Sequence, residues 1–484
     1  MPDGGWSGLE VKLLSSRVTV KTDFNHCPSR LLRSPSSLQV SSIVLLILFV
    51  ATALPVACSF NKPDFILSST KQAFKSRTMI SSSSTPTTST SSDGNGRSSA
   101  WPTMGRPPPS EPIQYVPSSD ACKIIESVPA VVNYVAHETT EISTRRDLAG
   151  SDDALIGALW APTVVRMNNA RLGVVRDTND TPGTTKELTL DENGFELHSN
   201  LSDEDFSAII KLDFCNQEEV VDTYYDLCQK IVEVSFGFQP SHSGDKQKIA
   251  CVCAFDHNVR STDRASVGQI KSNASNASPD EAAGAPQVQN PAGLVHADYT
   301  RDSAPRRLLD LSKPPKLNDV LRPKLLAQDR VSLLDPIIVQ EALDGKRRFA
   351  FVNVWRNIDA DNPVMDTPLA CVDTRTSHLN NLRVFKIHYV DRVGENYFVC
   401  PSKEIGAQKW YYYPMMTMNE SLLLKQWDSK GGIAGGVGSD GVEGHETSTF
   451  TIHSAFLNPS CPEGAPPRKS IEVRCVVIWE KEEQ

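Results

Sequence analysis

In the segment GLVHADYT, His296 and Asp298 stand two residues apart. Along an extended strand, residues i and i+2 project from one face, so an imidazole and a carboxylate at this spacing can converge on one metal ion. An H-x-D pair alone is common, and a surface histidine beside an aspartate is its ordinary meaning. A second histidine changes the weighing. In STFTIHSAF, His453 shares a strand face with Thr451 and Ala455, small neighbours that leave room beside the ring, while Phe450, Ile452 and Phe456 fall on the other face. Two histidines and one carboxylate make the facial triad of non-haem iron(II), which leaves three adjacent positions open and suits oxygen activation better than hydrolysis.

Beyond His453, the run PPRKSIEVRCVVIWE sets Arg468 and Ser470 on one strand face. A fixed guanidinium binds a carboxylate through two parallel hydrogen bonds, and a hydroxyl adds a donor, so the pair fits the distal carboxylate of 2-oxoglutarate. Arg474 lies on the same face and is the alternative for that role; the accompanying hydroxyl favours Arg468. Arg301, Arg356 and Lys425 could reach a carboxylated substrate, and Trp355, Tyr411 and Tyr412 could wall its pocket, although aromatics in strands more often build core. His257 and His445 have no strand partner two residues away and read as structural or exposed.

These residues need a scaffold, and the last third of the chain supplies one. RRFAFVNVWRNI, NLRVFKIHYV, ENYFVC, KWYYYPMM, SLLLKQW, STFTIHSAF and SIEVRCVVIWE are short, β-branched or aromatic runs bounded by Gly, Pro, Asn or Asp. Seven such runs predict a mainly β domain with flanking helices, built as a double-stranded β-helix, the cupin-like jelly roll. Further upstream, ELTLDENGFEL predicts a strand, a turn at Asn193-Gly194 and a second strand. DEDFSAIIKLDF begins a helical stretch, and EEVVDTYYDLCQKIVEVSF has the three- and four-residue apolar spacing of an amphipathic helix. Residues 261–292 are small and polar and read as a surface loop.

The stretches LTLDENGFEL, FDHNVR, VHADYT, FVNVWRNI with PVMDTPLACVD, YVDRVGENYFV, KWYYYPMM, LLLKQWDS, TIHSAF and APPRKSIEVR together resemble the AsaB-like (CmcJ-like) hydroxylase/desaturase family, related to the Fe(II)/2-oxoglutarate-dependent dioxygenases. The resemblance covers about residues 160–480. It implies a double-stranded β-helix oxidoreductase of specialised metabolism that uses Fe(II), 2-oxoglutarate and O2 on a small-molecule substrate, with ascorbate as an accessory reductant. Gln408 stands where the family usually carries a histidine, and the glycine-rich GGIAGGVGSDGVEGHET is longer than the family pattern. Two other readings stay open: the triad could bind zinc or manganese as a Lewis acid, or the chain could be a non-catalytic accessory protein on the same fold.

The N-terminal part has a different texture. After an extension over residues 1–40, the uncharged run SSIVLLILFVATALPVACSF at 41–60 reads as a signal sequence or a signal anchor that attaches the chain to a membrane. Residues 61–114 are rich in Ser, Thr and Pro and predict a disordered leader or linker, leaving 115–484 as the oxygenase domain. Such a pair of segments is similar to the bipartite leader of algae with complex plastids. The expectation is therefore entry to the secretory pathway, ending in a plastid or at an endoplasmic-reticulum anchor; on this family an algal leader would suit a kainoid-synthase-type cyclase. A net charge of −9 without basic blocks gives no footprint for nucleic acid. Eleven cysteines without a C-x-x-C pair signal neither a zinc knuckle nor a disulfide framework.

Overall fold

The computed structural model describes residues 98–99, 101–106, 125–145, 155–175, 185–199, 201–237, 248–267, 288–317, 319–389, 392–404, 406–440 and 447–481. The apolar run at 41–60, most of the Ser/Thr/Pro-rich leader, and His445 lie outside them.

Among the described residues two large sheets form the core. The smaller has five antiparallel strands in the order Phe195–His198, Ser421–Asp428, Phe349–Asn357, Lys469–Trp479 and Ile249–Ser261. The larger has eleven, and its centre runs Leu382–His388, Val393–Val399, His296–Ala297, His453–Ala455, Leu369–Val372 and Trp410–Tyr412. The sheets face each other: Tyr299 stacks on Phe351 at 4.7 Å, and Phe195 meets Tyr411 at 6.2 Å. This is the jelly-roll arrangement that the strand runs predict. All seven of those runs contain a strand, although the one in STFTIHSAF is cut to three residues.

The outer face of the small sheet is covered by helix. Asn216 caps the short helix Gln217–Glu219, which passes through a π-helical turn, Val220–Tyr224, into Tyr225–Gly237. Its apolar side packs Phe236 edge-on to Trp479 at 5.1 Å and Tyr225 edge-on to His257 at 5.7 Å. The expected hairpin around Asn193-Gly194 has its turn and its second strand, Phe195–His198, but Leu188 and Leu190 are buried outside any strand. Three helices, Ser303–Leu311, Arg322–Ala327 and Pro336–Leu343, follow the H-x-D strand without a signal in the sequence reading.

The described part of the glycine-rich segment is tied into the core. Asp440 is buried and accepts from Ile433 N, Thr449 N, Thr449 Oγ1 and Thr374 Oγ1. A side chain at Gly431 would run into Thr449, whose Oγ1 lies 2.2 Å from the place of a Cβ.

Candidate metal and anion site

His296 and His453 are direct cross-strand partners in the middle of the large sheet. Their rings lie 4.3 Å apart, and His296 Nε2 is 3.6 Å from Asp298 Oδ1. One donor atom from each of His296, Asp298 and His453 falls within 4.8 Å of the others, as a single metal ion requires. The ring tautomers follow from the backbone. His296 Nδ1 lies 2.8 Å from Leu294 O and His453 Nδ1 lies 3.0 Å from Thr451 O; a carbonyl only accepts, so each Nδ1 carries the proton and each Nε2 keeps its lone pair.

Electrostatics favour the ligand forms. Burial, reinforced by the nearby His453, lowers the pKa of His296 to about 4, and burial likewise lowers that of His453. Both rings are neutral at pH 7. Burial alone would raise Asp298, but His453, Arg474, His296 and the Asn353 amide hold its carboxyl below the usual range. The side chains of His296 and Asp298 keep 14% and 15% exposure, which leaves an approach open on that side. Two neutral imidazoles and an ionised carboxylate fit a divalent cation.

The inner face of the small sheet turns polar opposite this cluster. Arg260, Asn258 and Asp256 pair in register with Ser470, Glu472 and Arg474. Arg474 is already neutralised: Nη1 donates to Asp256 Oδ2 at 3.0 Å, and Nη2 lies 3.7 Å from Glu472 Oε1. Arg468 differs. It is 3% exposed, donates from Nε to Ser470 Oγ at 3.1 Å and from Nη1 to Thr367 O at 2.6 Å, and stacks 5.0 Å over Trp355. No carboxylate among the described residues pairs with it, and burial together with the neighbouring Arg260 lowers its pKa to about 9. A buried cation without an anion beside it is costly. Thr367, whose carbonyl holds it, is β-branched yet sits at φ 51°, a strained conformation beside this guanidinium.

Other expectations need correction. Arg356 does not reach the interior: it is wholly buried on the helix side of its strand, donating to Tyr224 OH at 2.9 Å and Met418 O at 2.5 Å, and to Ser421 Oγ. Strand alternation points it away from Trp355, toward the helix. Lys425 is equally buried and serves an ion cluster, 2.8 Å from Asp191 and 3.0 Å from Asp428 Oδ2, which Arg348 completes. Tyr412 turns to Phe456 at 5.3 Å in the main core, whereas Tyr411 joins Trp355 and Cys371 in the cluster between the sheets. Arg301 is exposed with its guanidinium against Gly436. His257 is buried, and its Nδ1 is 2.9 Å from Tyr225 OH, as a structural histidine should be. Gln408 is buried and accepts from Tyr134 OH at 2.6 Å. Arg260, Asn353, Glu472 and Thr367 are the site residues that sequence reasoning misses. Only the strand period, with the interior face known, could single out the first three.

A family profile described as an oxidoreductase/YMDC permease-like domain matches residues 162–478. An uncharacterized protein in the dcmA 3' region of Methylophilus leisingeri is 30% identical over 246 residues, covering 49% of this chain and 94% of that one. The Fe(II)/2-oxoglutarate-dependent dioxygenase nvfI of Aspergillus novofumigatus is 32% identical over 189 residues, 39% of this chain and 52% of its own. The hydroxylase/desaturase efuI of Hormonema carpetanum is 26% identical over 317 residues, 63% of this chain and 84% of its own. The chain spans about half the length of several of the curated relatives it matches. With the profile covering more than half of the chain and both strands that carry the His-Asp-His cluster, the chain belongs to the oxidoreductase family that this profile describes.

Proposed function

We propose that the protein is an Fe(II)/2-oxoglutarate-dependent oxygenase that hydroxylates, desaturates or oxidatively cyclises a small specialised metabolite. One observation carries the reading: two neutral imidazoles and a carboxylate converge opposite a sheet that holds a buried guanidinium with which no carboxylate among the described residues pairs. The names of the hydroxylase/desaturase and dioxygenase relatives support it.

His296 and His453 would hold iron(II) through Nε2, with Asp298 as the third ligand. Bound together, iron and 2-oxoglutarate would supply oxidising power, O2 being consumed as the 2-oxo acid becomes succinate and CO2 and the substrate loses two electrons. The remaining work belongs to the chain. Arg468 and Ser470 would bind the distal carboxylate of the co-substrate, and Thr367 O with Trp355 would keep the guanidinium in place. Leu294 O and Thr451 O lock the imidazole tautomers. Cys371, Tyr411 and Trp355 keep the adjoining interior apolar. Which product forms then depends on where the substrate carbon is held.

The test is anaerobic titration of the purified protein with iron(II) and then 2-oxoglutarate, following the visible metal-to-ligand charge-transfer band, with His453→Ala alongside. A band in the wild type that is absent in the variant is expected; no band with iron bound would sink the 2-oxoglutarate reading. The run at 41–60 is proposed to direct the chain into the secretory pathway, and a reporter fused behind residue 114 that stays cytosolic would refute that. No helix among the described residues is long and apolar enough to cross a membrane.

A further inference from the structure

The small sheet sends one amide across the interior to a carboxylate of the large sheet. Asn353 is 1% exposed, and its Nδ2 donates to Asp298 Oδ2 at 3.1 Å and to Glu472 Oε1 at 3.0 Å. Carboxylate acceptors on both N–H bonds dictate the amide's orientation, because the reverse placement would set an oxygen against two carboxylates. The amide oxygen is left without a partner. An unpartnered buried acceptor is unfavourable, and the strand tolerates one here, beside the His-Asp-His cluster.

Asp298 needs such a neighbour. It follows the two-residue strand His296–Ala297 and lies just past its end, where ladder pairing no longer orients the chain. Its Oδ1 faces His296 Nε2 at 3.6 Å, while its Oδ2 is taken by Asn353.

We infer that Asn353 is a positioning residue for metal binding: it occupies Oδ2 of Asp298, so that Oδ1 alone is presented between the two histidines. Glu472 steadies the amide by accepting its second N–H. The inference rests on the metal-binding reading above. A carboxylate held to one oxygen leaves more of the coordination sphere open for a chelating co-substrate and oxygen than a two-oxygen ligand does.

Cobalt(II) titration of the metal-free full chain tests this, with affinity read by calorimetry and coordination by the visible absorption of the ion. Asn353→Leu removes the donors at nearly constant size, and Asn353→Asp turns the donor into an acceptor at constant shape. Glu472→Gln keeps an oxygen acceptor for the amide. Both Asn353 variants should bind cobalt roughly ten- to hundredfold more weakly, with an altered visible spectrum as the second carboxylate oxygen is released. Glu472→Gln should stay close to wild type. Thermal unfolding of the metal-free forms reads folding separately, and if Asn353→Leu does not fold, Asn353→Asp carries the comparison. Wild-type affinity and spectrum in a folded Asn353 variant would overturn the inference alone. A wild type that binds no cobalt would remove the metal-binding reading and this inference with it.

Discussion

Arg468 and Arg474 share a strand face and a charge, yet their surroundings assign them different work. Arg468→Gln should weaken 2-oxoglutarate binding about ten- to hundredfold, the loss of a charge-assisted hydrogen-bonded pair, while iron(II) affinity stays unchanged in the same titration. Arg474→Gln should instead unfold more easily, by about 1–3 kcal/mol, because Glu472 and the partly exposed Asp256 lose their shared hydrogen-bonding cation. Thermal unfolding and co-substrate titration on both variants separate the two roles, and equal effects on 2-oxoglutarate would refute the assignment. At Thr367, replacement by Gly keeps the carbonyl that holds Arg468 and relieves a positive φ. It should leave co-substrate affinity intact without lowering the melting temperature. How much of this can be read from sequence depends on the side of the strand. The spacing of His296, Asp298 and His453 brings them onto one face, and Arg468 with Ser470 follows the same logic. Arg356 and Lys425 mislead because alternation says which residues share a face but not which face looks inward.

Among the elements, the pairing of Ile249–Ser261 with the long helix makes a stability switch that does not involve the site. Burial, the largest influence on His257, lowers its pKa to about 4, against Tyr225 on the helix. Between about pH 4 and 6.5 the unfolded chain takes up a proton that the folded chain refuses, so stability falls as the pH drops through this window and is undiminished above it. A displacement of this size corresponds to about 3 kcal/mol. Urea unfolding from pH 7 to pH 4 should show a steeper loss in wild type than in His257→Gln, and parallel curves would refute it. On the same helix the π-helical turn brings Tyr224 OH to Arg356, and Tyr224→Phe should cost about 1–2 kcal/mol without altering co-substrate affinity. The strands of the last third are legible because their β-branched and aromatic runs fit a pleated, half-buried surface. The strand His453–Ala455 is shorter than its run because the backbone just ahead of it bonds to the other sheet, Thr451 N donating to Lys425 O. The helices between residues 303 and 343 stay hidden: each is under ten residues and has too few turns for a periodic stripe.

For the whole molecule, the described domain reaches further upstream than composition suggests. Ser98–Ser99 pairs with Leu155–Ile156, Trp101 packs edge-on to Phe385 at 6.2 Å, and Asn133 Nδ2 donates to Thr103 O at 3.3 Å. These residues fall in a stretch whose Ser and Pro content reads as linker, because a few anchoring contacts leave no mark on average composition. A chain starting at residue 115 should therefore melt several degrees below one starting at residue 90, as differential scanning calorimetry would show; identical melting would mean that these contacts contribute nothing. One consequence concerns synthesis. His296 and His453 meet only as neighbouring strands of the finished sheet, and Arg468, proposed to hold the co-substrate's carboxylate, follows later still. A chain still emerging from the ribosome possesses Asp298 and one imidazole but no complete cradle, so loading must wait until translation has passed the last strand. The iron would then mark chains that have finished folding and would miss those cut short.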